Sequence, residues 1–185
     1  MDPTTQLARI LPAVSEVVEG IRPEQLDDPT PCDRFSVHDV LDHMVVLGGR
    51  FAHTFRGEEA PDIAPPAVDG SVPVEAFRSA MGELLDAVRS PGALARSVSA
   101  PFGEVPGETF ARFVAFDGLV HGWDLARATG QDYAPDPEAV AAVEEFARRA
   151  LTPDMRDGDT FAAEATHPAG ADTLERLVAF SGRRV

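Results

Sequence analysis

The most informative segment of this chain is residues 108–130, which read ETFARFVAFDGLVHGWDLARATG. On a helical projection its apolar side chains lie on nearly every side, a pattern typical of a helix at the centre of a bundle. Gly130 follows the last periodic residue and suits the left-handed conformation that often ends a helix. We therefore predict a central helix from about Glu108 to Thr129.

Three ionisable residues share one face of this predicted helix. His121 follows Asp117 by four positions, and Asp124 comes three positions later, which are spacings that align side chains on a helix. Burial of an unpaired carboxylate or imidazole is costly, so these groups need partners. An opposing cation and a metal ion are both adequate partners, and the spacing alone does not choose between an ordinary buried pair and a metal site.

Helical periodicity recurs on both sides of this segment. Residues 57–73 contain four prolines and are predicted to form a loop, and residues 96–100 are a candidate short strand. The pattern predicts an all-α fold, in which a four-helix bundle carries one or two accessory C-terminal helices and has room for a short strand pair. We expect residues 1–185 to form one domain. The other predicted helices are Thr5–Gly20, Val37–Phe55, Val74–Arg89, Pro137–Leu151 and Asp172–Ser181.

Composition excludes several classes of function. The 185 residues carry a formal net charge of −15, which repels phosphate backbones and anionic membranes, so we expect neither nucleic acid nor a membrane as a partner. The chain contains no lysine, which excludes a P-loop lysine and a Schiff-base lysine. The single cysteine, Cys32, excludes an intrachain disulfide framework and cysteine-cluster zinc sites.

The chain shows no sign of a membrane span or a leader segment. No apolar run approaches the roughly 20 residues that cross a bilayer, and the first residues lack the basic and apolar regions of a signal peptide. We therefore expect a cytoplasmic protein. Its state of association, as a monomer or a homodimer, is left open by the sequence.

The histidines outside the central segment differ in position. His43 flanks the apolar stripe of the second predicted helix and could point across the bundle. Its position is equally compatible with a hydrogen-bonded core histidine and with a metal ligand. His38, His53 and His167 are predicted to lie at the surface.

Two motifs and the C-terminal residues carry a resemblance to a known family. Residues 30–37, TPCDRFSV, lead into residues 41–44, LDHM, and resemble the start of the second helix in the mycothiol-dependent maleylpyruvate isomerase-like family. Residues 117–126, DGLVHGWDLA, are similar to its second signature, and residues 177–183, LVAFSGR, match its shorter members. That family belongs to the DinB-like metal-binding four-helix bundles, so the resemblance implies this fold over most of the chain.

The resemblance also implies a set of site residues. On the matching positions His43, Asp117 and His121 would bind one divalent ion, with open positions facing a pocket. This sequence departs from the isomerases at Asp117, where they have glutamate, and it is expected to lack their additional C-terminal lobe. Asp124 would accept a hydrogen bond from an imidazole N–H and fix its orientation. Alternatively, Asp124 would pair with Arg112 or Arg127.

Such a site predicts thiol chemistry. Two imidazoles and a carboxylate suit zinc first, and also nickel, iron or manganese, and the ion would lower the pKa of a bound water or thiol. The resemblance implies a low-molecular-weight thiol such as mycothiol as co-substrate, hence an S-transferase or isomerase acting on an electrophile. Two alternatives stay open: a non-catalytic bundle that binds a metal or small molecule, and a structural domain in which Asp117 pairs with an arginine.

Overall fold

The computed structural model describes residues 1–67, 69–100, 103–156 and 162–185. Over these ranges the fold consists of six α-helices, two single-turn 3-10 helices and one antiparallel strand pair, which confirms the predicted helical class and the strand pair. The helices are α1 (Pro3–Gly20), α2 (Val37–Arg56), α3 (Val74–Arg89), α4 (Gly107–Thr129), α5 (Pro137–Ala150) and α6 (Thr173–Phe180), and the strands are β1 (Ser97–Ala100) and β2 (Gly103–Pro106).

The helix ends lie within two residues of the predicted ones because local chemistry sets them. At the start of α2 the Ser36 hydroxyl accepts from the Asp39 backbone N–H at 3.2 Å, and the Ser36 N–H donates to the Asp39 carboxylate at 2.9 Å. This reciprocal capping satisfies two donors that the first turn would otherwise leave unpaired. Gly130 follows α4 at φ 69°, the left-handed conformation that the sequence predicts.

Helix α4 is the centre of the bundle and packs against α1, α2 and α5. Fifteen of its 23 residues are buried, far more than a single amphipathic stripe would give, so its all-round apolar pattern is explained by neighbours on several sides. Gly122 allows a close approach on one side. A Cβ atom there would lie 2.5 Å from the Tyr133 hydroxyl and 3.0 Å from a Val14 methyl of α1.

The C-terminal residues return toward α4 after α6. Gly182 adopts φ 99°, its N–H donates to the Ala179 carbonyl at 2.9 Å, and the Arg183 N–H donates to the Val178 carbonyl at 3.2 Å. This pair of bonds is the Schellman termination, which fixes the direction of the chain after a helix. The turn therefore sets where the Arg183 side chain begins.

In the part of the chain that the structure describes, none of the helices combines the length and the apolar character that crossing a bilayer demands.

Candidate metal centre

The structure brings His43 of α2 together with Asp117 and His121 of α4. One ligand atom from each side chain lies within 4.8 Å of the other two. Nε2 of His43 is 3.6 Å from Oδ2 of Asp117, and Nε2 of His121 is 3.4 Å from Oδ1 of the same carboxylate. Two donors that share a tetrahedral zinc ion at its usual bond lengths are about 3.4 Å apart. The distances from Asp117 to both histidines match that spacing.

His43 supplies a second sign that the triad suits an ion. Its Nε2 atom is buried and has no hydrogen-bond partner among the described residues, because 3.6 Å to Asp117 is longer than a hydrogen bond. A buried nitrogen without a partner is costly in a folded protein. A divalent ion would satisfy it, and a set of two imidazoles and one carboxylate is a donor set that zinc prefers.

The triad is only partly enclosed by protein. The His121 side chain is 5% exposed, whereas those of His43 and Asp117 are 27% and 42% exposed. An ion held by these three groups would therefore have protein behind it and space in front of it. An open side of this kind distinguishes catalytic sites from structural ones, which are closed by protein ligands.

The charges of Asp117 and His121 stabilise each other. Burial raises the pKa of Asp117, but attraction to the charged His121 and the nearby imidazole of His43 outweigh it and hold the pKa well below its usual range. Burial likewise lowers the pKa of His121, yet Asp117 and Asp124 outweigh it and raise that pKa to about 9. Without a metal ion, therefore, His121 carries a proton near neutral pH, and an ion binding at Nε2 has to displace it.

Asp124 lies behind His121 and is fully buried. Nδ1 of His121 is 3.0 Å from Oδ2 of Asp124, and because an ionised carboxylate only accepts, the imidazole donates this bond. The hydrogen bond leaves Nε2 directed at Asp117. Of the two partners that the sequence suggests for Asp124, an imidazole N–H and an arginine of α4, the structure shows the imidazole.

The cation beside Asp124 is Arg183, and the pairing with Arg112 or Arg127 is wrong. The Arg183 guanidinium donates to Oδ2 of Asp124 from Nη2 at 3.0 Å and to Oδ1 from Nε at 3.3 Å. Arg112 instead pairs with Glu108 one turn away at 3.0 Å, and Arg127 is exposed to solvent. Sequence spacing pointed to arginines on the same helix, whereas the actual partner comes from the far end of the chain.

A cavity of about 590 Å³ opens in front of the triad, within the range usual for small-molecule sites. Its lining combines aromatic rings with charged groups. The aromatic rings come from the segment before α2, from α2 and from α4: Phe35, Phe51, Phe110, Phe113 and Phe116. Charged groups of the segment before α2 and of the C-terminal turn also line it: Asp33, Arg34 and Arg183.

The segment before α2 is held in place by Thr30. Its hydroxyl donates to the Phe35 carbonyl at 2.6 Å and accepts from the Cys32 N–H at 3.2 Å, while the Phe35 N–H donates to the Cys32 carbonyl at 2.8 Å. This tight turn presents residues 31–35 to the cavity. The Phe35 ring lies against that of His43 at a tilt of 43°, with centroids 5.6 Å apart, so the motif that precedes α2 forms part of the site.

Cys32 lines the same cavity but is not prepared as a nucleophile. Burial raises the pKa of its thiol, and the nearby Arg183 charge, which lowers that pKa, does not offset it. The thiolate is the reactive form of cysteine, so a raised pKa keeps this thiol protonated and weakly reactive.

The remaining histidines lie outside the triad. His167 is exposed, as predicted. His38 and His53 are 20% and 29% exposed, so they are partly buried rather than on the surface. His38 lies 3.5 Å from Asp42 and His53 lies 2.8 Å from Glu58. Each of these histidines therefore has a carboxylate partner close to it in the sequence.

The fold and the triad define a class of protein: a helical bundle with a candidate centre of two imidazoles and one carboxylate between two of its helices. The chain belongs to the mycothiol maleylpyruvate isomerase N-terminal domain family, whose model matches residues 7–126. All three triad residues lie within that match, and Arg183 lies outside it.

Two curated relatives are similar to the whole chain. They are uncharacterized proteins of Mycobacterium tuberculosis, from strains CDC 1551 / Oshkosh and H37Rv, and each is 34% identical over 186 residues that span all of both chains. No solved structure matches the chain at a significant level.

Proposed function

We propose that this protein binds one divalent metal ion through His43, Asp117 and His121 and uses it to activate a low-molecular-weight thiol of the mycothiol type. The observation that carries the proposal is the buried Nε2 atom of His43, which has no hydrogen-bond partner among the described residues and lies beside Asp117. Zinc is the proposed ion because its donor preferences match this set, and nickel, iron and manganese are the alternatives.

The proposed reaction joins the thiol sulfur to an electrophilic carbon. A divalent ion in such a site lowers the pKa of a bound thiol or water, so that a nucleophilic anion persists near neutral pH. His121, held by Asp124 through Nδ1, keeps its other nitrogen directed into the site. The exposed part of Asp117 borders the cavity and leaves space for the thiol. The thiol proton passes to water as the carbon–sulfur bond forms. If the carbon expels a leaving group, such as the chloride of an alkyl chloride, the sulfur conjugate is the product and the protein is an S-transferase. If the sulfur adds to a carbon–carbon double bond and is expelled again after rotation about the resulting single bond, the thiol is regenerated and the protein is an isomerase.

The cavity walls support a small organic electrophile. The phenyl rings in its lining offer a surface for the apolar part of a substrate. Arg34 and Arg183, which also line the cavity, suit polar or anionic groups of the thiol or of the electrophile. Membership of the mycothiol maleylpyruvate isomerase N-terminal domain family supports the thiol as co-substrate.

The proposal also covers the domain organisation, the location and the partners of the protein. Residues 1–185 act as one metal-binding domain in the cytoplasm, where thiols are kept reduced, as a monomer or a homodimer. The net charge of −15 supports small molecules rather than nucleic acid or an anionic membrane as partners.

A second candidate is a non-catalytic bundle in which the ion only joins helices. The triad spans α2 and α4, so a bound ion would stabilise their packing whether or not a reaction follows. The protein supplies no reactive thiol of its own in the cavity, because burial raises the pKa of Cys32 and keeps it protonated. Without an added low-molecular-weight thiol, therefore, the site would only bind the ion.

Metal analysis and turnover together test the two candidates. We expect protein purified without an affinity tag to hold close to one divalent ion per chain, and to conjugate mycothiol to monochlorobimane faster than the uncatalysed reaction. Chelation should abolish the conjugation. Metal content far below one ion per chain, with melting unchanged by chelation, would contradict both candidates. Stoichiometric metal without conjugation would favour the non-catalytic bundle.

A further inference from the structure

Building on the proposed metal-binding function, we propose that Arg183 is a positioning residue for the metal site, acting through Asp124 on the ring of His121. Arg183 lies outside residues 7–126, which the family model matches. Within the described residues its guanidinium donates hydrogen bonds to Asp124 and to the Ser181 carbonyl, and to neither His121 nor Asp117.

The geometry at Asp124 makes this coupling direct. Oδ2 of Asp124 accepts from Nη2 of Arg183 at 3.0 Å and also accepts from Nδ1 of His121 at 3.0 Å. Oδ1 accepts from Nε of Arg183 at 3.3 Å. Two donors of one planar guanidinium therefore fix both oxygens, and with them the plane of the carboxylate. The imidazole ring takes its orientation from the oxygen that the guanidinium holds in place.

Because Asp124 is buried, the Arg183 guanidinium is needed to hold its carboxylate in a fixed orientation. The Asp124 side chain is completely buried and the Arg183 side chain is only 18% exposed, so water has little access with which to replace a lost donor. Without Arg183 the carboxylate would keep a single partner among the described residues and would lose the two bonds that fix its plane. The Nε2 atom of His121, which lies 3.4 Å from Asp117, would lose its fixed direction as a result.

The C-terminal turn is built to hold Arg183 in this place. The Schellman bonds of Gly182 and Arg183 fix the backbone, and the Ala165 N–H donates to the Ala179 carbonyl at 2.9 Å, which ties the preceding segment to α6. A Cβ atom on Gly182 would come within 2.6 Å of the Cβ of Ala162. The turn thus accepts only glycine there without displacement, and the position of Arg183 is determined by backbone contacts rather than by its own ion pair.

A purely structural role predicts different behaviour. If Arg183 only latched the C-terminal turn onto α4, its loss would lower stability and leave the His121 ring and the metal affinity unchanged. The test therefore uses Arg183→Gln and Arg183→Lys, with Arg184→Gln as the matched control. Arg184 is the exposed neighbouring residue, and the control removes the same charge.

The first readout is metal affinity, measured with zinc and a chromophoric chelator as competitor. We expect Arg183→Gln to weaken zinc binding by about tenfold, the lower end of what loss of an outer hydrogen-bond partner causes at metal sites. Arg183→Lys should restore part of the loss, since it keeps the charge without the planar fork. In an Asp124→Asn background the change at position 183 should add little, because it acts through that carboxylate. Arg184→Gln should match the wild type.

The second readout needs no metal. With ¹⁵N-labelled histidine, we expect the metal-free wild type and Arg184→Gln to show a His121 Nδ1 proton that exchanges slowly, and Arg183→Gln to lose or shift that signal. An unchanged signal in Arg183→Gln overturns the inference, whatever the metal result. If wild-type protein binds no zinc but the signal responds as expected, the proposed function fails, while the positioning of the His121 ring by Arg183 through Asp124 stands.

Discussion

Nε2 of His43 and Oδ2 of Asp117 lie 3.6 Å apart across the interface of α2 and α4. This distance is too long for a hydrogen bond and close to the separation of two atoms that share one zinc ion, which is about 3.4 Å. A buried imidazole nitrogen and a carboxylate oxygen would normally close such a gap by hydrogen bonding. A divalent ion between the two atoms would satisfy both of them.

Removal of His121 should remove the metal and spare the fold. We expect His121→Ala to weaken zinc binding by more than the roughly hundredfold that loss of an outer partner causes, with most of the helical circular dichroism retained. His167→Ala is the control, because that histidine is exposed and outside the triad. Stoichiometric zinc in His121→Ala would exclude this residue from the site.

The charge of residue 117 should matter more for zinc affinity than the length of its side chain. Asp117→Asn keeps the shape but removes the negative charge, so we expect weaker zinc binding by about tenfold or more. Asp117→Glu keeps the charge and extends a half-exposed side chain toward the cavity, so zinc binding should persist. Isothermal titration of both variants checks the pair. Equal affinity of Asp117→Asn and wild type would argue against direct ligation.

Zinc binding should release protons near neutral pH. The pKa of His121 in the metal-free protein is raised to about 9, so the ring is protonated at neutral pH and the ion displaces that proton. We expect close to one proton released from His121 per ion, and apparent affinity that rises with pH until about 9. Calorimetry in buffers of different ionisation enthalpy measures the release. A zinc-binding enthalpy that does not depend on the buffer would show that no proton is released, and would contradict displacement of the His121 proton by the ion.

The metal-free protein should lose stability as the solution becomes alkaline. Because the folded pKa of His121 lies above its ordinary value of 6.5, the ion pair with Asp117 contributes fully below pH 6.5 and is lost as pH rises through about 9. Thermal unfolding of chelated protein across this window should show a falling midpoint. His121→Ala should flatten that fall, and an equal fall in the variant would assign it to other groups.

Two glycines of α4 should respond in opposite directions to alanine. Gly122→Ala places a methyl group 2.5 Å from the Tyr133 hydroxyl, so we expect a loss of about 1–3 kcal/mol in the free energy of unfolding. A Cβ on Gly118 meets no atom within 4 Å, so Gly118→Ala should gain about 0.5–1 kcal/mol through reduced backbone entropy of the unfolded chain. Chemical denaturation measures both. Equal changes in the free energy of unfolding for the two variants would mean that α1 and Tyr133 do not closely approach α4 at Gly122.

Local pattern was sufficient for the helices and for the proximity of Asp117 to His121. Periodicity, capping residues and glycines placed the helix ends within two residues, because those signals act over a single turn of chain. The pairing of Asp117 with His121 follows from a four-residue spacing on one helix. The metal-binding role of these residues stays a prediction.

The spacing of residues alone did not place His43, which entered the candidate site through the family resemblance, and only the folded chain identified Arg183 as the partner of Asp124. His43 flanks the apolar stripe of α2, so its helical position alone could not say whether it meets α4. Arg183 meets Asp124 from a turn that follows α6, and the pattern around Asp124 suggested arginines of its own helix instead. Spacing along one helix reports neighbours that share its axis, whereas contacts between elements distant in sequence depend on how the whole bundle packs.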